Sequence, residues 1–399
     1  MSIRTAIVIG GGISGPVAAT ALRKAGIDAR VYEAYPGAAY GIGSTLGLAP
    51  NGLAALEIIG VADRVRAIAT PFSRQAMRVG NRMIQAPSLT DVEPLQLVDR
   101  PDLHEVLHDH AVASGVPFEY SKRLVGVDEH ADGVTAQFAD GSSATADVLI
   151  GADGIRSTVR GLVDPHAPGP KYLRMLGFGA FTECSFELPP GQMVFAFGKR
   201  AYYLYWAMPD GRIGWGANLP HEQYLSLTEA RTVPGTEWLR ILRETYAEDT
   251  PGAELARNTT PEQLQVVGAL QVMPSVPHWY RGRMALTGDA IHAPSNTSGQ
   301  GASLAIESAI ELARCLRDIP DPATAFATYE ALRRPRVEGV AARVARINQT
   351  KAAGPVARRM MSVVMPVMFK MMDPEKTFGP EQRFRIDWDA PVRPVATAV

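Results

Sequence analysis

Three observations predict an α/β fold, with a Rossmann-like doubly wound domain, a second domain built on an antiparallel sheet, and C-terminal helices. An apolar run, Ala6-Ile7-Val8-Ile9, meets Gly10-Gly11-Gly12-Ile13-Ser14-Gly15 near the start. Aromatic, alternating segments then fill residues 172–273. After them an apolar strand, Met284-Ala285-Leu286-Thr287, and two long helical patterns resume the first domain.

The first 35 residues read as a βαβ unit that binds a dinucleotide. Gly10 turns the chain, Gly12 lets backbone amides approach a pyrophosphate, and Gly15 lets the helix pack on the strand. The helix from about Ser14 to Ala25 aims its positive end at the phosphates. Glu33 closes Arg30-Val31-Tyr32-Glu33, where a carboxylate accepts hydrogen bonds from ribose hydroxyls. Glycine-rich turns also arise for packing alone, but strand, glycines, helix, second strand and acid stand here in order. No Lys or Arg lies between Arg30 and Arg64, so the ribose is expected to carry no 2′-phosphate.

Ala49-Pro50-Asn51-Gly52 opens the next helix, ending near Gly60, and strand-like runs follow over 76–98. Arg100-Pro101-Asp102-Leu103 starts a helix to about Ser114, with Pro101 where a first-turn proline is tolerated. Strands at 123–127, 134–138 and 147–150 are joined by Asp132-Gly133 and Asp140-Gly141 turns. The second domain carries strands at 173–181, 193–197, 202–208, 213–218 and 263–272, with helices near 222–230 and 237–246. Long helices start near Gly299 and Pro322. The domains are expected at 1–75, 98–170 and 274–350 for the dinucleotide unit and 76–97 with 171–273 for the sheet unit. A C-terminal helix and tail, 351–399, complete the chain.

Composition bounds the partners. The chain has 399 residues, enough for two or three domains, and its 40 Lys and Arg against 41 Asp and Glu offer no basic field for nucleic acid. A small organic ligand is the expectation. Cys184 and Cys315 form neither a metal spacing nor a disulfide framework and read as reduced, partly buried thiols, so no metal is expected. The first apolar run belongs to the glycine unit and lacks a signal peptide's layout, which points to a cytoplasmic protein.

Two further corners carry chemistry. A buried strand ending in Gly288-Asp289 puts a carboxylate at the carboxyl edge of the sheet, where open α/β sheets bind ligands. Asp289 there either holds a cofactor's polyol hydroxyls or caps the following helix, and locally the two readings weigh the same. Ser298-Gly299-Gln300-Gly301-Ala302 leads into a helix whose amides suit negative charge, such as that on a reduced flavin's pyrimidine edge. Gly151-Ala152-Asp153-Gly154, also after an apolar strand, reads by itself as a turn with Asp153 capping a helix.

In order and spacing, these three stretches resemble the single-component FAD-dependent aromatic hydroxylases, the para-hydroxybenzoate hydroxylase-like monooxygenases. The resemblance covers nearly the whole chain and is weakest over 172–271. It implies that Gly10, Gly12, Ser14, Gly15 and Glu33 bind the ADP half of FAD. It further implies that Arg100 contacts the cofactor's central region and Leu124 meets the adenine through its backbone. Asp153 belongs to the motif linked to FAD and NAD(P)H, Gly288 and Asp289 bind the ribityl chain, and Gly299, Gly301 and Ala302 flank the flavin ring. Departures from the family pattern are Asn296 where Pro is common, Ser308 where Asp is common, and the lack of a base over 35–44. His292, Pro294 and Asn296 lie near the expected reaction centre, with a structural role favoured for His292.

The implied activity is an NAD(P)H-dependent monooxygenase that inserts one oxygen atom from O2 into an aromatic or polycyclic small molecule through a flavin C4a-hydroperoxide. No second glycine fingerprint appears, so NADH or NADPH visits transiently. The alternatives are a flavin reductase, Baeyer-Villiger oxygenase or halogenase on the same fold, or a catalytically silent FAD protein that binds a ligand. Trp206-Ala207-Met208-Pro209 resembles only half of a halogenase signature, with Leu204 and Met208 replacing its Trp and Ile.

On the strand Tyr202-Tyr203-Leu204-Tyr205-Trp206, Tyr203 and Tyr205 share one face while Tyr202, Leu204 and Trp206 share the other. One face is expected to stack on an aromatic substrate and the other to fill the core, so Tyr203, Tyr205 and Trp206 are candidates for a pocket wall. Arg212 and Trp215 on the next hairpin are weaker ones. The Met-rich stretch 360–372 is too short to span a membrane. It reads as a terminal helix packed on the FAD domain in preference to a lid or a partner-binding helix.

Overall fold

Four consecutive apolar residues need burial on both sides, and Ala6-Ile7-Val8-Ile9 find it as β1 (Thr5–Ile9) at the centre of a parallel sheet. The chain turns into α1 (Ser14–Lys24) and returns as β2 (Asp28–Tyr32), paired parallel to β1. The βαβ unit is thus present as expected. The structure is a computed structural model that describes residues 3–38, 44–295, 299–351 and 355–395.

After β2 come β3 (Thr45–Leu48), α2 (Pro50–Ile58), α3 (Ala62–Ile68), β4 (Thr70–Phe72), β5 (Arg74–Val79), β6 (Arg82–Gln85) and β7 (Leu95–Asp99). Next are α4 (Arg100–Ala113), β8 (Phe118–Glu119), β9 (Leu124–Glu129), β10 (Val134–Phe138), β11 (Ser143–Ala146), β12 (Val148–Gly151) and α5 (Thr158–Val163). The middle of the chain holds β13 (Lys171–Thr182), β14 (Gln192–Phe197), β15 (Tyr202–Ala207) and β16 (Ile213–Pro220). It continues through α6 (Leu227–Thr232), α7 (Gly235–Tyr246), α8 (Gly252–Asn258) and β17 (Gln265–Val272). The chain ends with β18 (Tyr280–Arg281), β19 (Met284–Leu286), α9 (Gly301–Asp318), α10 (Pro322–Lys351), α11 (Pro355–Met371) and α12 (Pro374–Gln382).

One sheet runs β18-β19-β12-β1-β2-β8, parallel except for β18 at its edge. The second runs β17-β13-β16-β15-β14-β5-β6 and is antiparallel save for one parallel pair, β14 with β5. That pair arises because β5 and β6 enter the second sheet from an earlier stretch of chain. β7 does not join them. It pairs with β3 and β4 in a small sheet between the two larger ones in sequence.

Two principal cores follow. The first wraps the parallel sheet with α1, α2, α4, α9 and α10. α2 approaches α9 closely enough that a Cβ on Gly52 would fall 2.6 Å from Ser303 Oγ, and Ser303 Oγ accepts the Ala49 amide at 3.0 Å. The second core lies between the seven-stranded sheet and α7 and α8, where Tyr203, Tyr205 and Trp215 pack with Trp238, Leu242 and Tyr246. α8 has no counterpart in the sequence-based reading.

Candidate active site

Gly10 has φ +103°, a left-handed conformation that favours glycine, and a Cβ there would stand 2.5 Å from the Ala152 carbonyl oxygen. A Cβ on Gly15 would fall 1.9 Å from the Gly10 carbonyl oxygen. These two glycines therefore let α1 and the loop after β12 close on the end of β1. Gly12 differs: among the described residues nothing lies within 4 Å of its Cβ position, so it faces open space. The start of α1 has no side-chain cap and no acid in its first turn, and the buried Ser14 hydroxyl has no hydrogen-bond partner among the described residues. Glu33 is held beside the loop, accepting the Gly11 amide at 2.6 Å and the Tyr35 amide at 3.0 Å. His104, from α4, donates from Nε2 to the Gly11 carbonyl at 2.6 Å, and burial lowers its pKa.

The second corner abuts the first. Gly288 has φ +62°, and its Cβ position is 2.8 Å from Ser14 Oγ, so the turn after β19 sits against the start of α1. Asp289 is half-buried there, and among the described residues its carboxylate accepts no hydrogen bond. Burial raises its pKa, and the positive charge of Arg100, at the start of α4, works against that rise.

The third corner is the start of α9. Gly299 has φ +59° and has Leu95 Cδ1 3.8 Å from its Cβ position, while the Cβ position of Gly301 lies 3.9 Å from Pro294. α9 begins at Gly301-Ala302 with neither a side-chain cap nor an acid in its first turn. Below it, Asn51 donates to Gln300 at 3.0 Å and to Glu307 at 2.6 Å. Glu307, fully buried, also accepts from Arg333 at 2.6 Å and Arg336 at 2.8 Å. Asn296 lies outside the described residues.

Asp153, Leu124 and His292 each make contacts within the protein. Both oxygens of Asp153 serve α5: Oδ1 accepts from Ser157 Oγ, and Oδ2 accepts the Thr158 and Val159 amides at 2.7 and 3.0 Å. The carboxylate is consumed as a cap, and Asp153 approaches the glycine corner through its Cα, 2.8 Å from the Gly10 Cβ position. Leu124 opens β9 with its side chain in the first core. His292 is buried, its Nε2 lies 3.0 Å from Ser308 Oγ, and its Nδ1 makes no hydrogen bond to another of the described residues. Burial, helped by Arg333, pushes its pKa down to about 3, so it is neutral in the range where acid-base catalysis operates.

The pocket-wall expectation also splits. Tyr203, Tyr205 and Trp215 fill the core under α7 and α8, so their faces of β15 and β16 are already used by protein. The opposite face carries Trp206 and Met193, which cluster with Phe72 and with Leu97 of β7. Phe181, Phe195, Leu204 and Met208 are packed against them, partly buried. Leu97 and Leu95 share β7, and among the described residues outside its chain neighbours Leu95 is the side chain nearest the Gly299 Cβ position, so this face looks toward the α9 corner. Trp206 lies across the cross-strand glycine: a Cβ on Gly214 would fall 2.4 Å from its indole. Arg212 sits at the rim, exposed, paired with Asp210 at 2.8 Å and 5.5 Å over the Phe181 ring. Phe181, Phe195 and Leu204 were missed by the sequence reading, although the alternation placing Leu204 with Trp206 was visible.

A family model described as an FAD binding domain matches residues 4–344. The chain belongs to the FAD-dependent aromatic hydroxylase family. An FAD-dependent urate hydroxylase of Klebsiella pneumoniae is 33% identical over 343 residues, covering 83% of this chain and 86% of the relative. A 3-amino-4-hydroxybenzoate 2-monooxygenase of Streptomyces platensis is 31% identical over 354 residues, covering 84% and 85%. Among solved structures, Klebsiella pneumoniae HpxO complexed with FAD and uric acid superposes with TM-score 0.80 at 26% identity. That match covers 95% of this chain and 96% of that one. The 2,6-dihydroxypyridine-3-hydroxylase of Arthrobacter nicotinovorans shares the fold, with TM-score 0.73 at 20% identity and coverage of 89% and 95%.

This FAD-dependent monooxygenase presents a surface that suits its cofactor. Uncapped starts of α1 and α9 offer amides to anionic groups, the Ser14 hydroxyl between two corners has no hydrogen-bond partner among the described residues, and Gly12 leaves room there for a pyrophosphate. Asp289 supplies, at the sheet's carboxyl edge, an acceptor that no described residue uses.

Proposed function

We propose that this flavoenzyme uses NAD(P)H and O2 to insert one oxygen atom into an electron-rich aromatic or polycyclic ring that rests on the apolar face of β13 to β15. FAD, when bound, supplies the oxygen chemistry, which no protein side chain provides by itself. Gly10, Gly12, Ser14, Gly15 and Glu33 would hold its ADP half, Asp289 its polyol, Arg100 its central region, and Gly299, Gly301 and Ala302 its ring. The chain's remaining tasks are to orient the ring and exclude water.

The observation that carries this reading is the line from Gly299 through Leu95 and Leu97 to Trp206 and Leu204. It joins the expected flavin corner to a wall of aromatic and thioether side chains suited to a planar, largely apolar ligand. Relatives named for urate and an aminohydroxybenzoate both act on a ring, which supports the class. The neutral, buried His292 fits a site in which the side chains position the ring.

The test is a ring-compound screen for accelerated NAD(P)H oxidation, followed by product mass measurement under labelled O2. Incorporation of one labelled atom is expected. Ligand-stimulated oxidation of NAD(P)H without incorporation would favour the reductase reading, and binding without stimulation the silent one.

A further inference from the structure

α11 rests on β5 and β6 through Met365 and Phe369, which pack with Val79, Ile84, Phe197 and Tyr202. Among the described residues its packed side chains therefore lie on the seven-stranded sheet, where the sequence-based reading expected the FAD domain. Its other side is apolar as well. Met360, Val364, Val367, Met368 and Met371 are between 49 and 82% exposed. Steps of three and four put them on one helix face. An ordinary surface helix turns its charged side to solvent, and this one turns its side chains of Met and Val there.

Charge narrows what covers that face. From Gly339 to Met372 the sequence holds Arg343, Arg346, Lys351, Arg358, Arg359 and Lys370 and no Asp or Glu, in a chain whose net charge is −1. Three of these bases, Arg358, Arg359 and Lys370, belong to the sequence of α11 itself, which holds no acid, whereas Arg343 of α10 is already paired with Glu381. A second copy of the chain would set this positive charge against itself, whereas a negatively charged lipid surface meets both features at once. Among the described residues no helix is long and apolar enough to cross a membrane, so the helix would lie in the surface plane. We propose that α11 docks the protein on an anionic lipid surface, its outer apolar face entering the headgroup layer. Leu204 and Phe195 belong to the wall and also pack on the cluster under α11, so docking places the lipid next to the ring-binding face.

The flavin-loaded full chain is sedimented with phosphatidylcholine vesicles with and without phosphatidylglycerol. Binding at least about tenfold stronger to the anionic vesicles, weakened by salt, is expected. The Val364→Glu, Met368→Glu double variant should lose it about tenfold or more while keeping flavin content and melting temperature, because both positions are exposed. Protein that stays in the supernatant with anionic vesicles overturns the proposal. So does vesicle binding indifferent to lipid charge, or a concentration-dependent dimer that the double variant dissolves in the absence of vesicle binding. The measurement needs no turnover, so its outcome is separate from that of the oxygen-insertion test.

Discussion

Glu307 accepts a hydrogen bond from Arg333 at 2.6 Å with both side chains sealed from solvent. Arg336 and Asn51 complete the carboxylate's shell, and Arg336 also donates to the Pro380 and Glu381 carbonyls of α12. One carboxylate thus ties α2, α9, α10 and α12 together beneath the corner where the flavin ring is expected. Burial pushes the Glu307 pKa up, but Arg333, Arg336 and Asn51 outweigh it and the net shift is downward. Glu307→Ala leaves two arginines facing an empty site and is expected to cost about 3–5 kcal/mol in urea unfolding. Because the native pKa lies below the ordinary 4.5, the pair's contribution is full above that value and fades as pH falls through the depressed native one. Glu307→Gln should flatten that acid limb. A loss under about 1 kcal/mol in the alanine variant would show the cluster to be dispensable.

Gly12 and Gly15 separate binding from folding. Gly15→Ala sets a methyl group 1.9 Å from a backbone oxygen and should destabilise the flavin-free protein by about 3 kcal/mol or more. Gly12→Val meets open space, so the flavin-free protein should melt within a few degrees of the parent while flavin binding is abolished. Equal melting losses in the two variants, read by calorimetry without FAD, would contradict the distinction.

Asp289 makes no hydrogen bond to described residues, which removes a structural reason for its half-buried carboxylate. Asp289→Ala is expected to weaken FAD binding by about tenfold to a hundredfold, the worth of a charged hydrogen bond of roughly 1.5–3 kcal/mol. Without FAD the variant should be as stable as the parent or more so, since an unpaired carboxylate is removed from a desolvated position. Flavin titration by fluorescence quenching checks it, and an unchanged affinity sinks the assignment.

What was legible in the sequence follows how local each signal is. Gly10, Gly12, Gly15 and Glu33 fall within one βαβ unit, so spacing alone orders them. Asp289 was legible as the end of a buried strand, although its nearness to Ser14 is a long-range fact. Asp153 was read both ways, and the local cap is what the carboxylate does. His104 gave no signal, because its partner Gly11 lies 93 positions away and a histidine inside a helix looks like any other. The Glu307 cluster was hidden for the same reason, its carboxylate reaching 256 positions back to Asn51. On β15 the alternation was plain, but only α7 and the unforeseen α8 decide which face is core.

That division of β15 makes the last prediction. Tyr203 and Leu204 are neighbours in sequence on opposite faces, one in the core under α7 and α8, the other on the wall that leads toward Gly299. Tyr203→Ala should cost about 3–5 kcal/mol of stability, as large-to-small changes of buried aromatics do, and leave KM for the ring substrate near the parent value. Leu204 is only partly buried, so Leu204→Ala should cost less stability and raise KM about tenfold, the equivalent of roughly 1.5 kcal/mol of apolar contact with the ligand. Steady-state kinetics on the compound that the oxidation screen identifies, with urea unfolding on the same preparations, reads both quantities. A KM change that follows Tyr203 and spares Leu204 would place the substrate on the other face of the sheet.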